Sequence, residues 1–166
     1  MSLIIEDGTI VAGAESFVTV AEARDWASKR GVTLSATDSV VEVLLRKACD
    51  FLQSVELRYK GARVDDAQAL AWPRQQVYLY GNTTAIATTY VPQQLKDAQC
   101  QLAIDAVSRD LQPTGDGRQV VMKQVDVLVT QYSDTKSSSV TPIFNKALSI
   151  LAPLLRNVGP LSTTRV

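Results

Sequence analysis

The chain has 166 residues, in which 17 Lys and Arg balance 17 Asp and Glu and histidine is absent. At roughly 100–200 residues per domain the length suits one domain able to bury about 70% of its unfolded surface, and 46% hydrophobic against 20% charged residues is a globular, not a disordered, composition. Neutral charge removes the long-range field with which a dedicated duplex-DNA binder gathers phosphates, and the lack of histidine excludes Ser-His-Asp and Cys-His relays and every His-based metal site.

Met1-Ser2-Leu3-Ile4-Ile5 runs into Glu6 and lacks the basic flank and apolar core of a signal peptide, and no apolar run reaches the roughly 18 residues of a membrane span. A protein made and kept in the cytosol, or on something assembled there, is expected. The first helix starts at Thr19-Val20-Ala21-Glu22, a capping box, and Gly31 ends it; Val20, Ala23, Trp26 and Ala27 share its apolar face, with Trp26 as core anchor. A second box, Ser39-Val40-Val41-Glu42, opens a helix whose stripe is Val41, Leu44, Leu45, Ala48, Leu52 and Val55. Phe51, Val40 and Cys49 widen that stripe, which places this helix at the centre of a bundle. Cys49 and Cys100 lack CxxC spacing and read as buried, reduced thiols.

Arg58 to Tyr90 is a long irregular stretch, and loops of that length in a compact domain are usually functional. The third helix begins with Pro92 at its first position and runs to about Leu111. It carries two stripes, Leu95, Ala98, Leu102 and Ala106, then Cys100, Ile104, Val107 and Leu111, so it is buried on both sides or against a partner subunit. Pro113, Gly115 and Gly117 mark a loop, Val120 to Tyr132 alternates as a strand, and Ser133 to Val140 reads as an exposed loop. Thr141-Pro142 caps a last helix bearing Ile143, Ala147, Ile150, Leu151 and Leu154, which Pro153 kinks or ends. The expected fold is mainly α: a bundle of about four helices over residues 1–155, a small β-hairpin or strand insertion near 119–140, and an extended C-terminal arm over 156–166.

Chemistry is sparse. Asp65-Asp66 reads as a solvated turn, and no P-loop, GxGxxG, GxSxG or HExxH pattern occurs, so neither enzyme nor cofactor is expected. Trp72-Pro73-Arg74 followed by Tyr78 and Tyr80 interleaves rings with a base, as a single-strand binding surface would. One Arg among three aromatics favours the other reading, a loop that seals the core with Trp72 while Arg74 pairs with an acid. The charge is unevenly spread: residues 1–110 hold 11 bases and 14 acids, residues 111–166 hold 6 and 3, and no acid follows Asp134. That asymmetry suggests a basic C-terminal arm docking on an acidic partner or lying near nucleic acid.

Ala69-Leu70-Ala71-Trp72-Pro73-Arg74, then Tyr90-Val91-Pro92 with Leu95-Lys96-Asp97-Ala98-Gln99 opening a helix, and Leu151-Ala152-Pro153-Leu154-Leu155 after a Val-rich strand, together resemble the tailed-phage head–tail adaptor family. Its members are often labelled DnaT-like single-stranded-DNA-binding proteins. The resemblance implies a virion neck component, assembled in the host cytoplasm, whose dodecameric ring docks under the portal protein, prolongs the channel for genomic DNA and receives a tail or stopper protein, with no membrane partner. By the same analogy, Arg156, Asn157, Val158, Leu161, Arg165 and Val166 would contact the portal. Trp72, Arg74, Tyr78 and Tyr80, with Val125, Val127 and Val129 of the strand, would pack loops or subunits. A single-stranded-DNA-binding replication accessory is the alternative expectation.

Overall fold

The first helix, α1 (Val20–Ser28), begins where its capping box requires: Thr19 Oγ1 accepts from Glu22 N at 3.2 Å, and the Glu22 carboxylate accepts from Thr19 N at 2.7 Å. Two amides that a helix start leaves unpaired are thereby met. Gly31, at φ 73°, turns the chain away in the left-handed region that favours glycine. Ala23, Trp26 and Ala27 are buried as their spacing predicts, with the Arg30 guanidinium 3.5 Å above the Trp26 ring centroid. This is a computed structural model, describing residues 3–112, 120–124, 129–132 and 144–156.

The second helix, α2 (Asp38–Ser54), buries Val41, Leu44, Leu45, Ala48, Cys49, Phe51 and Leu52 of the stripe read from sequence, whereas Val40, expected to widen it, is exposed and Val55, at the cap, is half-buried. Its start differs from expectation. Thr37 is the cap, without a side-chain hydrogen bond, and Ser39 already lies in the first turn. The Asp38 carboxylate instead receives Arg24 Nη1 of α1 at 2.6 Å, so a tertiary ion pair fixes the helix start where a local box was expected. A single 3-10 turn, Glu56–Arg58, follows.

After the irregular stretch, Pro92 caps α3 (Gln93–Asp105) from an extended conformation and does not occupy its first turn. The helix stops six residues short of Leu111, and Val107 lies exposed while Leu111 is buried from the loop beyond. α3 packs on α1, α2 and the last helix, so it takes the central place expected of α2. The first stripe is taken up within the chain, with Leu95, Ala98 and Leu102 fully buried and Ala106 half-buried; of the second, Cys100 is buried, Ile104 is half-buried and Val107 is exposed. Burial pushes the Cys49 and Cys100 thiols up to about 12.

The hairpin or strand expected near 119–140 is a hairpin. β3 (Val120–Gln124) pairs antiparallel with β4 (Val129–Tyr132), Val120 opposite Tyr132 and Gln124 opposite Val129, with a register shift between Val120 and Met122. Before it in the chain, β1 (Ala62–Arg63) and β2 (Arg74–Gln75) form a second, two-residue antiparallel ladder inside the irregular stretch. The last helix, α4 (Asn145–Leu151), gives way to a 3-10 turn at Ala152–Leu154, where Pro153 removes a helical donor. Phe144 at its start meets Phe51 of α2 edge to face, ring centroids 5.3 Å apart. The expected cap at Thr141-Pro142, the loops around Gly115 and Ser133–Val140, and the arm beyond Arg156 lie outside the described residues.

One buried polar side chain ties the elements together. Gln99 of α3, fully buried, accepts from Phe17 N at 2.9 Å and donates to Ser16 Oγ at 2.8 Å and to Leu45 O of α2 at 3.0 Å. Gln99→Leu keeps the volume but leaves the buried Phe17 amide without its partner, while Leu45 O keeps its bond within α2. The expected loss is about 1–3 kcal/mol, read as a lower urea midpoint at unchanged denaturant slope.

Candidate functional site

The long stretch singled out by sequence is held by side-chain hydrogen bonds where regular structure is missing, because backbone groups buried without a ladder must find partners elsewhere. Trp72, followed by a cis bond to Pro73, is completely buried, and its ring meets Tyr59 edge to face at 5.8 Å. The Tyr59 hydroxyl donates to Leu52 O of α2 at 3.2 Å. Gln53 Nε2 donates to Ala69 O while its Oε1 accepts from Ala71 N. Gln68 likewise bridges, donating to Leu70 O and Pro73 O and accepting from Val64 N and Asp65 N.

Arg74, 5% exposed, is the hub. Its Nε donates to Lys60 O at 2.9 Å, Nη1 to Ala71 O at 3.2 Å, and Nη2 to Gly61 O at 3.0 Å. Nη1 also reaches Glu56 Oε1 at 3.4 Å. Glu56 in turn receives Arg63 in a two-pronged pair at 2.6 and 2.7 Å. Gly61, at φ 71°, allows the close approach: a Cβ there would lie 2.2 Å from Gln75 O. The C-terminal segment closes the ring of contacts, with Lys60 N donating to Leu154 O at 2.9 Å and Arg156 N to Arg58 O at 2.7 Å. Arg156 Nε donates to Tyr59 O at 2.9 Å, and Lys60 Nζ to Pro153 O at 2.8 Å.

The electrostatics follow from this packing. Hydrogen bonding from Arg63 holds the Glu56 carboxyl below its usual range, against a burial effect that raises it. Burial lowers the Arg74 guanidinium, and Glu56 offsets that. A guanidinium remains charged in proteins, so the pair stays ionic.

The expected pairing of Arg74 with an acid and the sealing role of Trp72 are therefore both present. Tyr78 and Tyr80 are not part of this cluster: both are exposed, and the Tyr80 hydroxyl accepts from Gln94 Nε2 of α3. Arg156 joins the cluster through its side chain, whereas Asn157, Val158, Leu161, Arg165 and Val166 lie outside the described residues. So do Val125 and Val127; Val129 begins β4. Sequence reading missed Gln53, Glu56, Tyr59, Arg63 and Gln68, because their contacts, between residues 2 to 18 apart on an irregular chain, follow no spacing rule. The Asp65-Asp66 pair is a turn, in which Asp65 Oδ1 accepts from Ala67 N. Among the described residues no group of three or more Cys, Asp or Glu side chains gathers to hold a metal, and no described helix is long and apolar enough to cross a membrane.

These features define a mainly α bundle whose Trp-Pro-Arg segment is a structural clasp. A family model described as "Putative DnaT-like ssDNA binding protein" matches residues 1–166, and the chain belongs to that family. Neither the curated proteins nor the solved structures compared with it give a match.

Glu56→Gln tests the clasp. A carboxyl depressed in the folded state stabilises above its unfolded value, near 4.5, and that stabilisation is lost as pH falls through the folded value. The variant is expected to be less stable than the parent by about 2–4 kcal/mol at neutral pH. The gap should close progressively in chemical denaturation series taken below pH 4.5.

Proposed function

We propose that this protein is a structural head–tail connector of a tailed bacteriophage, without catalytic activity, cofactor or membrane attachment. In this reading it is assembled in the host cytoplasm and sits in the neck of the virion. Copies form a ring, dodecameric by analogy, beneath the portal protein; the ring extends the channel for genomic DNA and accepts a tail or stopper protein. The observation that carries the reading is the state of Arg74 and Trp72. The one segment whose composition suited stacking on bases and gripping phosphate is turned inward, its ring in the core and its guanidinium spent on carbonyls and Glu56. A rigid clasp of that kind suits a load-bearing assembly component, whose work is geometric.

The family's description speaks more directly for the second reading, a DnaT-like single-stranded-DNA-binding replication accessory. Exposed Tyr78, Tyr80 and Tyr90 supply rings on which bases could stack. Against it stands the acidic balance of residues 1–110, since sequence-independent strand binding draws its affinity from cations along the path.

Two measurements separate the readings. Under the connector reading the protein co-sediments with portal-bearing capsids and retains that attachment at raised salt, while a fluorescent oligothymidylate shows no saturable binding at physiological salt. Saturable oligonucleotide binding that falls steeply with salt, and weakens about tenfold in Tyr80→Ala, without any capsid attachment, would replace the connector by the accessory.

A further inference from the structure

From Gln75 to Leu95 the chain runs 21 residues without a charged side chain, against 9 in its next longest uncharged run. Within that run Gln76, Tyr78, Tyr80 to Thr84 and Ala87 to Tyr90 are exposed, so this is surface and not core that happens to lack charge. Tyr78, Tyr80 and Tyr90 keep 49, 69 and 46% of their area in water. The core closes without these three rings, and the clasp makes no use of them.

The segment is nonetheless one fixed face. Val77 and Leu79 are buried in alternation with exposed Tyr78 and Tyr80, so both rings leave the same side of the chain. Ile86 N donates to Val77 O at 2.9 Å and Asn82 N to Leu79 O at 3.0 Å, which folds the far side of the loop back beside the two rings. Tyr90 N donates to Ala87 O at 3.0 Å, and a Cβ on Gly8 would lie 1.8 Å from Thr89 O, so the N-terminal segment backs the loop there. Tyr80 stands at φ 54°, a left-handed setting uncommon for residues other than glycine, and its hydroxyl is tied to Gln94 Nε2 of α3. A strained backbone that its surroundings hold in place, bearing a ring the core does not use, marks a position kept for binding.

From this we infer that the uncharged tyrosine face is a surface through which one copy of the chain meets a second copy. Identical chains carry identical charges, so a charged face repels its twin unless each pair falls opposite, whereas an uncharged face meets a second copy at no like-charge cost. Asp7 and Lys96, the charges at its border, are of opposite sign and already act on each other. Tyrosines among hydroxyl and amide side chains supply large contact area at small entropic cost, and charged residues are depleted at the centre of protein interfaces. A nucleic acid would find rings here but no cation for its phosphates across all 21 residues. The inference rests on the connector reading, which requires a contact between neighbouring copies, and it names the face that makes one.

Sedimentation velocity of the full chain, run from micromolar to millimolar concentration, tests this. The parent is expected to self-associate, and Tyr78→Ser combined with Tyr80→Asn to weaken that association at least tenfold. Asparagine tolerates the left-handed backbone, so the urea midpoint should be kept and the loss belongs to the rings. Val107→Ser, which removes an exposed apolar side chain outside the loop, is the control and should associate as the parent does. A parent that stays monomeric throughout, association that ignores the double variant, or equal weakening by Val107→Ser each overturns the inference. So does oligothymidylate binding by the parent that the double variant loses. Capsid co-sedimentation keeps the two ideas apart. A parent that attaches to capsids but fails the association test loses the tyrosine face and keeps the connector, whereas one that associates through the face but never attaches keeps the face and loses the connector.

Discussion

The buried guanidinium of Arg74 is the constraint around which the irregular stretch between α2 and α3 is built. Residues 58–75 form almost no regular structure, so the carbonyls of Lys60, Gly61 and Ala71 would turn into a dry interior without partners. A planar fork with five donors answers all three at once, and a lysine could not, since its three donors radiate from one point. The charge that comes with the fork has to be compensated, which is the physical reason for Glu56 in its place, and Glu56 in turn fixes Arg63. Remove the guanidinium and the segment loses its donors and its charge balance together.

The helical part follows a different logic. Apolar stripes decide which faces meet, while Gln99 decides how they are aligned, because its amide satisfies groups from the N-terminal segment and from α2 at one point. Glu6 does similar work near the chain start, its carboxylate accepting from the amides of Gly8, Ile10 and Val11. In each case a buried polar side chain stands in for secondary structure. The pattern is economical in a chain where long helices alternate with stretches that form none.

Periodicity made the helices legible, since α1 and α2 bury most of the residues their spacing marks, Val40 excepted, and Pro153 ends α4 where a missing donor must. Local signals failed where tertiary partners competed. Asp38 pairs with Arg24 and starts α2 early, and Val107 falls off the α3 stripe because the helix ends at Asp105. Alternation over Val120–Tyr132 marked the strands of the β3–β4 hairpin. Of the clasp, composition exposed Trp72 and Arg74 as a pair needing explanation. It could not show Glu56, Gln53 or Gln68, whose roles depend on a chain path that no short-range rule encodes.

The bridge between Tyr59 and Leu155, with Arg156 reaching back across 97 residues to the Tyr59 carbonyl, has a bearing on biosynthesis. Contacts of such separation come late, because the intervening chain must be ordered before its ends can meet. On a ribosome, α1, α2 and the Trp72 segment emerge well before Pro153 to Arg156 do, so the nascent chain carries an open clasp until translation has passed Arg156. The turn Glu56–Arg58, whose last carbonyl receives Arg156 N, therefore acquires its full set of contacts only in a chain made through that point.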